Sequence, residues 1–303
     1  MKTFTPAGGH AGNLTWRRVP DGLAVPVTDD TGPASGRADS LTARASMISR
    51  LLAPHAVVTR RTAAWIWELD VLPPGVHEWQ WDVELMWPGR DLPPDELPAE
   101  HIVEQAGVRV TSMARTALDC ARWLPRLEAV AALDQFLRRG VDPASLAAMA
   151  RDLAGRPNAR RLRDVLRLGD GAAASPGESW TRVMVVDAGF PRPRTQIPVA
   201  GPYGEPLFVD LGYEQLRVGL EYDGERHHSG ARARAHDERR RRWLRKEMGW
   251  EIIPVTKGMF ARPAPYLEAL LTALLQRGWT PGDATLNRIA TRLDRRVRTR
   301  RTP

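Results

Sequence analysis

Three carboxylates in the second half of this 303-residue chain, Asp210, Glu221 and Asp223, have the types and spacing to act on one ligand. FVDLGY and LRVGLEYDG read as two strands joined near Glu214-Gln215, a hairpin by the shortness of the connection. Strand alternation puts Leu216, Val218, Leu220 and Tyr222 on one face of the second strand and Arg217, Gly219, Glu221 and Asp223 on the other. Gly219 leaves space beside the acids, and the hairpin brings Asp210 alongside them. Three like charges within a few ångströms raise one another's pKa and call for a compensating cation. Oxygen-only ligands favour Mg²⁺ or Mn²⁺, and such an ion could activate water and stabilise charge developing on a phosphodiester. The competing reading is a solvated hairpin edge whose acids pair with nearby arginines.

The elements around the trio set where it would sit. Ser175-Pro176-Gly177-Glu178 opens a helix running to about 188. Strands follow at about 194–200, 206–212 and 216–223, then an arginine-rich helix at 232–248, a strand at 250–256 and a helix near 264–277. Upstream, GDGAAASPG at 169–177 is small and polar and reads as a linker. Helical patterns precede it: ARASMISRLLAP, RRTAAWIWELD after a capping Thr59 and up to the Pro73-Pro74-Gly75 turn, MARTALDCARWL, RLEAVAALDQFLRRG, PASLAAMARDLAG and ARRLRDVLRLG. Strand-like WQWDVELMW and VRVTS lie between the second and third of these. The expected class is α/β (α+β) in two domains. A Gly- and Pro-rich, poorly ordered segment at 1–45 has WRRVPDGLAVPV as a candidate strand or hairpin. A mostly helical domain spans 46–168, a helix–meander–helix–strand domain 175–280, and a basic tail 281–303.

Composition narrows the class. Hydrophobic residues make up 43% and charged residues 26%, as in a folded globular protein. No stretch reaches the ~18 uninterrupted apolar residues of a membrane span, and MKTFTPAGGHAGN lacks the apolar run of a secretion signal, so a cytoplasmic location is expected. The single cysteine, Cys120, sits in the apolar run TALDCARWL and reads as a buried, inert thiol. Lys and Arg total 44 against 36 Asp and Glu, a net charge of +8, and the excess is mostly arginine, whose planar fork suits phosphate. DNA is therefore the expected partner. Phosphate loops, HExxH and GxSxG motifs are absent, which argues against ATPase, metalloprotease and serine hydrolase chemistry.

Taken in order, SPGESW, the glutamine of TQIPV, VDLGY, LEYDGERHH, the HDERRRR helix and GWEIIPVT resemble the PD-(D/E)XK nuclease superfamily, in its branch akin to very-short-patch-repair endonucleases. The resemblance covers 175 to about 260. It implies a restriction-endonuclease-like core, with Asp210 as first metal-binding aspartate and Glu221 as second acidic ligand. Asp223 stands where the superfamily usually has lysine, a departure that bears on activity. Arg226, His227 or His228 could supply the missing cationic or general-base function. Glu178 is either a further acid near the metal or the end of a capping box begun by Ser175. Gln196 would be ancillary to the site, and Arg226, Arg232, Arg239 and Arg240 would contact DNA. Trp243, Leu244 and Met248 read as core.

In the first half, VVTRRTAAWIWELDVLPPG and VTSMARTALDCAR resemble the C-terminal part of abortive-infection antitoxin and transcriptional-regulator proteins. WRRVPDGLAVP could be the remaining wing of a winged helix-turn-helix, although the two preceding helices have no room. Arg115, Thr116 and Asp119 share a helical face, as a site or as a buried polar clamp. Two functions are thus in view. The first is a Mg²⁺-dependent DNA endonuclease or nickase, for which a dimer is compatible. The second is a non-catalytic DNA-binding transcriptional regulator or antitoxin-like protein keeping a degenerate nuclease fold.

Overall fold

The computed structural model describes residues 14–18, 24–28, 45, 56–71, 84–86, 97–224 and 231–298. The chain divides into two compact units, one of Met1–Phe136 and Gly140–Arg167, the other of Leu137–Arg139 and Leu168–Pro303. Among the described residues no helix is long and apolar enough to cross a membrane.

In the first unit, β1 (Leu14–Arg18) and β2 (Ala24–Thr28) form an antiparallel hairpin with Trp16 opposite Pro26, as WRRVPDGLAVPV suggests. Then come β3 (Val57–Val58), α1 (Arg60–Ile66), β4 (Leu85–Met86), β5 (Ile102–Gln105), β6 (Val108–Thr111), α2 (Met113–Trp123), α3 (Arg126–Arg138), α4 (Pro143–Asp152) and α5 (Ala159–Leu168). The expected helix from Ala45 lies outside the described residues except for Ala45 itself, as does most of WQWDVELMW. The unit is less purely helical than its pattern predicts, because it carries a sheet of order β4-β3-β6-β5. The sequence reading missed β5 because its hairpin turns on Ala106-Gly107, both at positive φ (48° and 78°), where a two-residue turn is normally signalled by Asn-Gly or Asp-Gly. Helix α1 stops at Ile66, well before Pro73, because Glu68 goes left-handed at φ 62°. Thr59 sits at its N-cap but makes no capping bond; its hydroxyl faces the Glu84 carbonyl at 3.4 Å.

Arg115 and Asp119 of α2 are each 1% exposed, and the arginine Nε donates to both carboxylate oxygens at 3.0 Å. Thr116 Oγ1 lies 2.7 Å from Thr111 Oγ1 beside them. The shared helical face is therefore an internal clamp. Burial raises the Asp119 carboxyl above its usual range, and the arginine only partly offsets this. Cys120 is buried, with its thiol pushed well up by desolvation.

The second unit runs α6 (Pro176–Ala188), β7 (Arg194–Ala200), β8 (Pro206–Tyr213), β9 (Val218–Asp223), α7 (Ala231–Lys246), β10 (Glu251–Thr256), α8 (Ala264–Gln276) and α9 (Asp283–Arg298). Strands β7, β8 and β9 form an antiparallel meander. Helix α7 then crosses over so that β10 lies parallel to β9, giving the order β10-β9-β8-β7. Each edge strand carries an exposed proline, Pro198 in β7 and Pro254 in β10, which blunts the edge against further pairing. One core gathers Val185, Leu211, Val218, Leu220, Leu270 and Ile289. The other gathers Ile197, Val199, Val209, Leu244, Trp250 and Ile252.

Residues 169–175 are not a free linker: Asp170 accepts from Thr195 Oγ1 at 2.8 Å and from the Ala172 amide at 3.1 Å, and Arg192 donates to the Gly169 carbonyl at 2.8 Å. The basic tail is largely the helix α9, whose Ile289 and Leu293 are buried. Its apolar residues recur at Leu286, Ile289 and Leu293 among many arginines, so the charge run obscured the helical period.

Candidate functional site

Ser175 caps α6 by accepting from the Glu178 amide at 3.3 Å, and Glu178 returns the contact by accepting from Ser175 Oγ (3.0 Å) and the Ala174 amide (2.9 Å). The capping reading of Glu178 therefore holds. Yet its Oε2 also accepts from Gln196 Nε2 at 2.8 Å, so the same carboxylate reaches the sheet. Gly177 lets this helix turn sit directly on β9, because a Cβ there would overlap the Tyr222 ring. That ring stacks in turn on Phe260, with centroids 5.6 Å apart.

Gln196 sits in the middle of β7 with φ 51°, a left-handed conformation that L residues avoid. Pairing with β8 is interrupted there: Thr195 lies opposite Leu211 and Ile197 opposite Val209, with no pair at 196. In a regular strand Val209 and Leu211 would share a face. Instead Leu211 packs in one core and Val209 in the other, so β8 changes face across Asp210. The kink aims Gln196 and Asp210 into the same space.

That space is a cavity of about 400 Å³ lined by Glu178, Gln196, Asp210, Glu221, Asp223 and Arg240, together with Phe208, Tyr222, Asp237 and Arg241. Six residues expected at the site are thus brought together. Arg239 lies on α7 but does not line the cavity, and the side chain of Arg232 is outside the described residues, as are Arg226, His227 and His228 altogether. The strand expected from Leu216 begins only at Val218, since Glu214–Leu216 forms a 3-10 turn and Arg217 is left-handed at φ 50°.

The sequence reading missed the role of Arg241, and with it the electrostatics of the pocket. Glu221 is 4% exposed, and its two oxygens lie 2.9 Å from Arg240 Nη2 and 3.5 Å from Arg241 Nε. Arg241 also donates from Nη2 to Asp223 at 3.0 Å. Both arginines come from α7, which faces Glu221 and Asp223 across the sheet. The signal was present in the RRRR run after Glu238, but a run of four says nothing about which members point inward. Asp210 takes the Tyr222 amide at 2.9 Å. Burial, then repulsion from Glu178 and Glu221, pushes its carboxyl up to about 7 despite that bond and Arg240.

Guanidinium groups thus face two of the three acids, Glu221 and Asp223, while Asp210 has no arginine ion pair among the described residues. Among the described residues no three His, Cys, Asp or Glu side chains are grouped to hold a metal ion. Arg240 and Arg241 lie against the two oxygens of Glu221, whose buried Oε1 nonetheless accepts no hydrogen bond among the described residues.

Residues 56–168 match a family described as AbiEi antitoxin C-terminal domain. Two similar proteins come from Mycobacterium tuberculosis and are described only as uncharacterized: MT2308 of strain CDC 1551 and Rv2248 of strain H37Rv. Each is 28% identical over 261 residues, covering 83% of this chain and 93% of the relative. No solved structure matches. The antitoxin resemblance of the first half is thus supported, and no comparison supports the nuclease resemblance of the second. The match overturns the expectation of a metal-dependent DNA endonuclease or nickase and favours the antitoxin or regulator reading.

Proposed function

We propose that the protein is a non-catalytic, DNA-binding regulator of the antitoxin type. The observation that carries this reading is the antitoxin-domain match over residues 56–168. Three features support it. The chain carries a net charge of +8, suited to a polyanion. Helix α7 exposes Arg239, Arg242 and Lys246 to solvent. Two acids of the pocket, Glu221 and Asp223, lie against Arg240 and Arg241 of α7.

A mobility-shift titration of the purified protein tests the proposal. The DNA is a duplex from upstream of its own coding region and an unrelated duplex, each at low and at physiological salt. Binding should be tighter to the upstream duplex and should weaken steeply with salt, as counterion release requires. Equal failure to shift either duplex at low salt overturns the reading.

A further inference from the structure

The tip of the β7–β8 hairpin, Gly201-Pro202-Tyr203-Gly204-Glu205, holds a tyrosine that is 94% exposed. Such exposure leaves a large apolar ring in water with no packing partner. The tip that carries it is closed by three hydrogen bonds. The Gly201 amide donates to the Glu205 carbonyl at 2.7 Å, the Gly204 amide to the Gly201 carbonyl at 3.1 Å, and the Tyr203 amide to the Glu205 carboxylate at 2.9 Å. Gly204 closes the turn at φ 86°, which a side chain would oppose.

The hairpin is fastened to α7 at two points. Trp243 Nε1 donates to the Ala200 carbonyl at 2.9 Å, and Arg240 donates to the Phe208 carbonyl. At about 100° per residue, Arg239 and Lys246 fall on the helix flank beside Trp243, four residues before and three after it. Both are exposed, and Arg242, ion-paired to Glu238 at 3.8 Å, continues the basic strip. A solvent-exposed ring thus sits at the tip of a hairpin whose base is bonded to the helix that carries the basic strip. Phosphate contacts from long basic side chains beside an aromatic that accepts a base is how single-stranded nucleic acid is held.

We infer that this hairpin and helix form a nucleic-acid contact surface in which Arg239 and Lys246 meet phosphates and Tyr203 stacks on an unpaired base. The inference rests on the DNA-binding reading above and adds to it a location and a preference for unpaired bases. It is independent of the acidic cavity, which Tyr203 does not line.

The test is fluorescence anisotropy of the full chain with a single-stranded oligonucleotide and with the corresponding duplex. Variants are Tyr203→Ala, Tyr203→Phe and the double Arg239→Ala/Lys246→Ala. Because Tyr203 is exposed at a turn, the first two should fold as the wild type does, checked by thermal melting. Tyr203→Ala should weaken single-strand binding by roughly tenfold or more, as loss of one stacked base does, while Tyr203→Phe binds as the wild type. The double variant should weaken both forms and lower the salt slope by about 1.8 for the duplex and about 1.4 for the single strand. Single-strand binding by Tyr203→Ala as tight as wild type, or a loss confined to the duplex, overturns the inference and leaves the DNA-binding reading standing. Absence of wild-type binding to either form removes both.

Discussion

Replacing Asp210 by asparagine keeps the side chain's shape, and an amide oxygen to accept from the Tyr222 amide, but removes a charge that burial and two neighbouring carboxylates oppose. In the folded protein the Asp210 carboxyl is pushed up to about 7, against 3.8 for the same group in an unfolded chain. Between those values the folded state holds a proton that the unfolded state has lost. Stability from this group is therefore present in full below the lower value and is lost as pH rises through the upper one. The shift is about three pKa steps, so the loss is on the order of 4 kcal/mol across the window. Asparagine does not titrate. Urea unfolding of wild type and Asp210→Asn, followed by hydrogen exchange in β8 and β9 so that the second unit is read on its own, should show a gap that opens with pH. Near the lower end of the window the two proteins should differ little. Above the upper end the asparagine variant should be the more stable by up to a few kcal/mol. A gap that stays constant with pH, or that closes as pH rises, refutes the electrostatic account of this pocket.

Three further substitutions probe the framework. Asp119→Ala removes the carboxylate that accepts from the buried Arg115 and should cost about 3–5 kcal/mol of stability, read as a lowered urea midpoint in the first unit. Gln196→Gly and Gln196→Ala both lose the bond to Glu178, but only glycine accepts φ 51° without strain. The glycine variant should be the more stable by about 1 kcal/mol, and equal stabilities would show that the left-handed turn relaxes. Gly177→Ala drives a methyl into the Tyr222 ring and should cost about 1–3 kcal/mol by thermal unfolding. Pairing it with Tyr222→Ala should remove most of that added cost.

Much of the second unit could be read from local pattern. The bounds of α6 follow from the Ser175 cap and those of β7 and α7 from period-2 and period-3.6 spacing, because each of these signals lies within a few residues of the structure it specifies. The shared face of Glu221 and Asp223 was legible for the same reason: a strand's alternation is local. The β5–β6 hairpin and α9 escaped because their signals were unusual, Ala-Gly where Asn-Gly is the rule and an apolar stripe hidden in a charge run.

What the sequence determined by itself about this protein is the order of the elements from α6 to α8 and the presence of acids and arginines on β8, β9 and α7. What only the tertiary structure decided is how those charges are paired. The three acids invite a metal when read along two strands, since nothing in strand periodicity says what faces them. Folding lays α7 across the sheet, and Arg240 and Arg241 reach Glu221 and Asp223 from a helix some 20 residues further along the chain. The left-handed Gln196, invisible in composition, turns Asp210 toward the same cavity. A side chain's type is a property of one position, whereas its charge compensation and pKa depend on every element packed against it.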